Sequence, residues 1–318
     1  MLRIGEQIYG AGVVHVAAYS TTPNDPLETT ERLLRDSGLQ AVEGAWALDA
    51  DGMAALRDGF AWSGTDAVFV VGGIMRRKGI DPSAADLEAR AEAMAELKKL
   101  IETAAGLGCR MILLCSGPDT VPEQRVAAID RLAVVLEELC AHAKAVRPHD
   151  PLWLTLEHFD RELDQKRLLG PTVEAAALIE RVRRTHSNIG LTLDLSHIVQ
   201  LGEDIAGAVA AAREVTIHAH IANCGLDRAA LATFGDSHCR FGAQGGAVGV
   251  DDAVTFLDAL VRNGYGTRPL PTRVPLISVE MKTPEGETPE LAIAGGLRML
   301  HRAAAIADAA LRRPRTGE

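Results

Sequence analysis

Leu152-Trp153-Leu154-Thr155-Leu156-Glu157 and Ile189-Gly190-Leu191-Thr192-Leu193-Asp194 are the two runs on which the fold turns. Each is short, rich in leucine, and ends in a carboxylate. Between them a helical segment opens at Pro171, a residue whose fixed φ suits a first turn. Strand, helix, strand is the unit of a parallel sheet, because parallel neighbours need a crossover between them. The same design recurs outward in both directions, with strands expected at Arg3–Ile8, Ala41–Ala47, Asp66–Val71, Arg110–Cys115, Val215–Ile221 and Leu276–Glu280. Helical spacing runs near Leu27–Ser37, Ala84–Leu107, Arg125–Val146, Asp204–Arg213, Asp251–Asn263 and Pro289–Ala309. In Ala84–Leu107, for example, Leu87, Ala91, Met94, Leu97, Ile101 and Ala105 recur at three- and four-residue steps and stop at Gly106 and Gly108. Eight strand–helix units predict an α/β fold, a single (β/α)8 TIM barrel over residues 1–318, with a flexible tail over about 312–318. An open doubly wound sheet is the alternative. It should carry a glycine-rich phosphate turn after the first strand, and Gly10-Ala11-Gly12 lacks the third glycine of that pattern. No nucleotide cofactor is expected.

The 318 residues carry 33 Lys+Arg against 43 Asp+Glu, a formal charge of −10, with 47% hydrophobic residues. That composition excludes a disordered or fibrous chain. The acidic balance argues against nucleic acid as a partner, since it repels phosphate backbones. The longest apolar run, near Val68–Met75, falls short of the ~18–20 residues that cross a bilayer. Met1–Glu6 shows no apolar h-region with a cleavage site, and the five cysteines include no CxxC pair. Both suit a reducing, cytoplasmic setting.

In such a barrel the chemistry sits at the C-terminal ends of the strands. The last four strands run Leu154-Thr155-Leu156-Glu157-His158, Leu191-Thr192-Leu193-Asp194-Leu195-Ser196-His197, Ile217-His218-Ala219-His220-Ile221 and Ile277-Ser278-Val279-Glu280-Met281-Lys282. Adjacent strands thus end in Glu157, Asp194, His220 and Glu280. Three carboxylates converging in one mouth must take up protons or find a cation, because buried like charges repel. A divalent metal resolves the conflict. Three oxygen ligands and one imidazole suit Mn²⁺, which is favoured, with Co²⁺, Mg²⁺, Fe²⁺ or Zn²⁺ as alternatives.

These residues resemble the xylose isomerase-like barrel superfamily, which includes sugar isomerases, ketose 3-epimerases, hydroxypyruvate isomerases, inosose dehydratases and AP-endonuclease-type repair enzymes. The likeness is most specific in the second half: Glu157, Asp194-x-x-His197, His220, Glu280, and the loop Gly235-Asp236-Ser237-His238-Cys239-Arg240-Phe241-Gly242 followed by Gly245-Gly246. It implies that Glu157, Asp194, His220 and Glu280 bind the metal, and that His197 and Arg240 bind substrate oxygens. It also implies a homo-oligomer, a dimer or tetramer. The repair enzymes add histidines on earlier strands, but here the third strand ends Val70-Val71-Gly72-Gly73 and the fourth Leu113-Leu114-Cys115-Ser116. A three-metal nuclease centre is therefore not expected. His197, Asp236 and His238 remain as a second metal site or as groups that bind sugar hydroxyls.

A metal chelated by a sugar's carbonyl and hydroxyl makes the adjacent C–H more acidic. By resemblance to the epimerases, one of Glu157 and Glu280 removes that proton and the other returns one, while His197 moves a proton between substrate oxygens. The implied activity is a metal-dependent sugar isomerase or epimerase; a lyase or dehydratase acting on a keto-sugar, keto-glycoside or keto-cyclitol shares the first step, and a phosphodiesterase stands third. Lys282, two residues past Glu280, is a further substrate contact. Glu6 and Glu43, placed in the first two strands, are read as bonding to substrate or to one another, and His218 as a core histidine one layer below His220. The run Arg76-Arg77-Lys78 reads as an exposed loop or as a seat for a phosphate or carboxylate.

Overall fold

A glycine decides where the barrel begins. The computed structural model describes residues 1–312, and in it Leu2–Ile4 (β1) and Gln7–Val14 (β2) form an antiparallel hairpin around Gly5, whose φ of +63° suits a residue without a Cβ. The single strand expected over Arg3–Ile8 is thus split, and β2 is the first barrel strand. Glu6 falls in the exposed hairpin turn and reaches neither substrate site nor Glu43. The expected tail lies outside the described residues, apart from Arg312 at the end of the last helix.

After β2 come α1 (His15–Ala18), α2 (Pro26–Leu34), β3 (Leu39–Gly44), α3 (Ala50–Ser63), β4 (Asp66–Val70), α4 (Gly72–Lys78), α5 (Leu87–Leu107), β5 (Met111–Cys115) and α6 (Pro122–Val146). The second half runs β6 (Trp153–Glu157), α7 (Thr172–Arg183), β7 (Ile189–Asp194), α8 (Leu195–Gln200), α9 (Ile205–Ala211), β8 (Thr216–Ala222), α10 (Val250–Arg262), β9 (Leu276–Glu280) and α11 (Pro289–Arg312). Strands β2 to β9 pair in parallel in chain order, and β9 pairs back onto β2, closing an eight-stranded (β/α)8 barrel. The helices start where side chains take up their free amides: Asp25, Asp49, Asp86 and Asp204 each accept a backbone N–H in the first turn. Arg76-Arg77-Lys78 is not a loop but the last turn of α4, where its charge suits the helix C-terminus.

Closure depends on small residues. A Cβ added at Gly12 would lie 2.1 Å from Ser278 Oγ across the β2–β9 seam, so Gly10-Ala11-Gly12 serves strand approach rather than a phosphate turn. Below the mouth the strand faces that point inward divide. Val68, Met111, Leu113 and Ile217 form a small apolar cluster, whereas Thr155 and Thr192 share a hydrogen bond of 2.6 Å. The main core lies between strands and helices and includes Ile112, Leu154, Leu191, Leu193 and Ala219.

Candidate functional site

Parallel register carries the strand ends to one rim. Asp194 stands beside His220 and Cys115 beside Glu157, while Glu280 neighbours Ala222, two residues beyond His220. Side chains two apart on a strand share a face, so Thr155 lies under Glu157, Thr192 under Asp194, His218 under His220 and Ser278 under Glu280. The structure brings Glu157, Asp194, His220 and Glu280 together: one ligand atom from each lies within 4.8 Å of all the others. His220 Nδ1 is 3.1 Å from Glu280 Oε2, 3.4 Å from Glu157 Oε1 and 3.9 Å from Asp194 Oδ2.

Three of these atoms, Glu157 Oε1, Asp194 Oδ2 and His220 Nδ1, are buried and have no hydrogen-bond partner. Buried polar atoms are nearly always paired, so a cluster of unpaired ones facing each other needs an explanation. Their surroundings are fully used elsewhere. Asp194 Oδ1 accepts from Ser196 N at 2.6 Å, capping α8 and leaving Oδ2 free toward the mouth. The other nitrogen of His220, Nε2, lies 3.0 Å from Glu43 Oε2, so that nitrogen is engaged behind the ring and Nδ1 is the one that faces the three rim carboxylates. A carboxylate behind an imidazole is the usual support of a metal-binding histidine. The donor set therefore fits a divalent cation of the oxygen-preferring kind.

Glu43 is the residue whose role the sequence hid. It comes from β3, across the barrel, is fully buried, and lies 2.9 Å from His218 Nε2 as well as 3.0 Å from His220 Nε2. Burial alone would raise its carboxyl, but the two imidazoles hold it well below the usual range. Its partners are some 175 positions away in the chain, so no local pattern could assign them. The available signal was a charged residue among the buried positions of a strand.

The remaining expected residues divide. His197 Nε2 and His238 Nε2 each lie 3.1 Å from Asp236 Oδ1, so these three form one bonded cluster beside the first. His197 Nδ1 stands 3.7 Å from Glu157 Oε1. Asp194, His197 and His238 also present ligand atoms within 4.8 Å of one another. The loop that carries Asp236 is pinned from two sides: Asp236 N donates to Asp164 Oδ2 at 2.9 Å, and Lys282 Nζ donates to the Asp236 carbonyl at 2.7 Å. His238 holds a φ of +43°, a conformation uncommon outside glycine. Arg240 stands apart. Its side chain is 54% exposed, pairs with Glu287 at 3.4 Å, and lines a different pocket with Phe241 and Met281.

The charges respond to one another. Burial pushes the Glu157 carboxyl up, against the pull of His220 and His197. Burial would also raise Glu280, but His238 and His220 hold it at about 2. His197, which burial alone would lower, is lifted to about 10 by Asp194, Asp236 and Glu157. Glu157, Glu280, Asp236, His238 and Lys282 all line a mouth cavity of about 160 Å³.

A family model described as xylose isomerase-like TIM barrel matches residues 31–303. Among solved structures, that of an L-ribulose 3-epimerase superposes with a TM-score of 0.71 at 20% identity, covering 98% of this chain and 100% of that one. A D-psicose 3-epimerase with D-tagatose from Clostridium cellulolyticum H10 gives 0.65 at 17% identity, over 95% of this chain and 98% of its own. An IolI protein with a binding zinc atom gives 0.68 at 17% identity, over 96% and 100%. No curated protein matches the sequence. At such identities the superpositions speak to the fold.

Proposed function

We propose that this chain, which belongs to the xylose isomerase-like TIM-barrel family, is a divalent-metal-dependent isomerase or epimerase acting on a sugar or related polyhydroxy carbonyl compound. One observation carries the reading: Glu157, Asp194, His220 and Glu280 meet from consecutive strands with three donor atoms buried and unbonded. The L-ribulose and D-psicose 3-epimerases among its structural neighbours support it, as does the zinc atom of another. Those four residues would hold the metal, Mn²⁺ by the hardness of the set. Bound there, a cation supplies Lewis acidity to a chelated carbonyl.

The chain's own residues supply the proton transfer. Glu157 and Glu280 both border the cavity and approach it from β6 and β9, on either side of Asp194 and His220. One takes the proton from the carbon next to the carbonyl, and the other returns it on the opposite face. His197, held by Asp236, is placed to pass a proton between neighbouring substrate oxygens. Burial of the cluster excludes bulk water from that exchange.

Two measurements test this. Elemental analysis of the purified protein is expected to give about one divalent metal per chain, lost in a Glu157→Gln/Glu280→Gln variant. A panel of ketoses, aldoses and keto-glycosides in D₂O is expected to show deuterium entering next to the carbonyl without loss of a group. Release of water or an alcohol would instead identify a lyase. No metal and no exchange would sink both.

A further inference from the structure

The mouth cavity also carries positive charge. Besides Glu157 and Glu280 it is lined by Arg76, Arg77, Arg167 and Lys282, and among the described residues none of these four cations is paired with a carboxylate. That is unusual in a chain of formal charge −10. Arg76 donates to the neutral Gln165 Oε1 at 2.9 Å, and Lys282 to a backbone carbonyl.

Arg167 is the telling member. It is only 8% exposed, and its Nε is buried with no hydrogen-bond partner. Arg161, six positions earlier in the same loop, shows what this protein does with an arginine it means to keep quiet. Its guanidinium forks onto both oxygens of Glu174 and donates to the Leu168 carbonyl. A buried N–H donor left without such a partner is rare in a folded chain and is completed when an acceptor arrives from outside.

Nor is Arg167 a loose side chain on a mobile segment. Its own N–H donates to the Asp160 carbonyl at 3.0 Å, Leu168 N donates to Gly117 O at 3.1 Å, and Asp119 N to Lys166 O at 2.8 Å. The buried Asp160 carboxylate accepts the amides of Leu163, Asp164 and Gln165 at 2.7–2.9 Å, folding the loop onto itself. The backbone that carries Arg167 is therefore fixed before any ligand arrives, which lowers the ordering cost of a contact made from it.

We propose that the cavity takes an anionic substrate: a polyhydroxy carbonyl compound bearing a carboxylate or a phosphate ester, which Arg167 receives with Arg76, Arg77 and Lys282 around it. The inference rests on the isomerase reading for the carbonyl end only. Arginine's planar fork suits either anion, whereas a neutral sugar would bring hydroxyl acceptors but no opposite charge.

Calorimetric titration of the purified protein with D-gluconate, with its uncharged counterpart D-glucitol, and with inorganic phosphate, all at constant ionic strength in chloride, tests the proposal. Gluconate or phosphate is expected to bind at least about tenfold more tightly than glucitol, and the stronger of the two tells carboxylate from phosphate. Arg167→Gln is expected to abolish the difference while the ligand-free protein melts no lower than the parent, since an unpaired buried N–H donor has been removed. Arg167→Met repeats the test should the glutamine variant fold poorly, and the parent's own preference needs no variant. Gluconate and phosphate binding no better than glucitol, or binding undiminished in a folded Arg167 variant, would overturn the proposal. Deuterium exchange into neutral ketoses without any anion preference overturns it and leaves the isomerase reading standing. Anion preference without exchange into any substrate does the reverse.

Discussion

Strands β2 to β5 end in Val14, Gly44, Val70 and Cys115, whereas β6, β7 and β9 end in Glu157, Asp194 and Glu280, with His220 two residues inside the end of β8. The two halves of the rim share everything that makes a barrel: parallel ladders, covering helices and buried strand faces. They differ in the residues placed where the βα loops open and in the inward-facing layer beneath, apolar at Val68, Met111 and Leu113 but hydrogen-bonded at Thr155 and Thr192. The fold therefore does not select the chemistry; it offers a rim, and one half of it is used for titratable groups while the other shapes the cavity. Glu43 links the halves, reaching from β3 to His218 and His220.

The largest effect should come from breaking the chemical half. Glu280→Gln removes a carboxylate that touches both His220 and the cavity. Exchange of deuterium into substrate is expected to slow by roughly 10²–10⁴-fold, the usual loss for a positioned proton-transfer group. The neighbouring rim position on the plain half, Cys115→Ser, removes no titrating carboxylate and should change the rate far less. Equal losses at the two would erase the distinction.

Acid should reach both halves through buried histidines: burial pushes His158, just after β6, down to about 3. His15, just after β2, is buried with Nε2 2.8 Å from Thr29 Oγ1, and burial pushes its pKa down to about 4. A histidine that is neutral when folded and charged when unfolded binds fewer protons in the native state. Its contribution is thus present above about pH 6.5 and lost as pH falls toward 4, worth about 3 kcal/mol in all. Urea unfolding between pH 4 and 7 should show that loss in the parent and a shallower slope in His15→Leu. His197, lifted to about 10 among carboxylates, has the opposite sign and cannot produce a loss in this window. An unchanged slope in His15→Leu would locate the acid sensitivity elsewhere.

Glu43 sharpens the comparison because it belongs to the plain half by sequence and to the chemical half by contact. Glu43→Gln keeps its shape but removes the charge behind His220, and the affinity for the metal is expected to fall about 10–100-fold. Competition with a chromophoric chelator measures it. Glu6→Gln, at the other acid expected on an early strand, falls in the exposed hairpin turn and should leave affinity as it was.

How much of this could be read in advance follows the same division. Eight alternating units were legible because apolar runs and three-to-four spacing are local signals. Glu157, Asp194, His220 and Glu280 were legible because each ends its own strand, and parallel register then brings them together. Glu43 and Arg167 were not, since each acquires its meaning from partners, or from a lack of partners, that only the closed barrel determines. The first strand was misplaced for a related reason. Arg3–Ile8 alternates well enough to pass as one strand, and nothing within it reveals that Gly5 turns the chain back.

The seam that this misreading concealed gives the smallest effect. Gly10-Ala11-Gly12 looks like loop sequence, yet it lies inside β2, where β9 approaches so closely that a Cβ at Gly12 would meet Ser278 Oγ at 2.1 Å and Ser278 Cβ at 3.1 Å. Gly12→Ala is expected to lower stability by about 1–3 kcal/mol, the range for overfilling a packed interior, read as a shift in the urea midpoint with the slope unchanged. Because the closest atom is a hydroxyl rather than backbone, Ser278→Gly in the same chain should restore part of the loss. Two independent penalties would instead add. If Gly12→Ala costs nothing, the seam between the halves is looser than the strand spacing implies, and the plain half owes its order to its helices rather than to barrel closure.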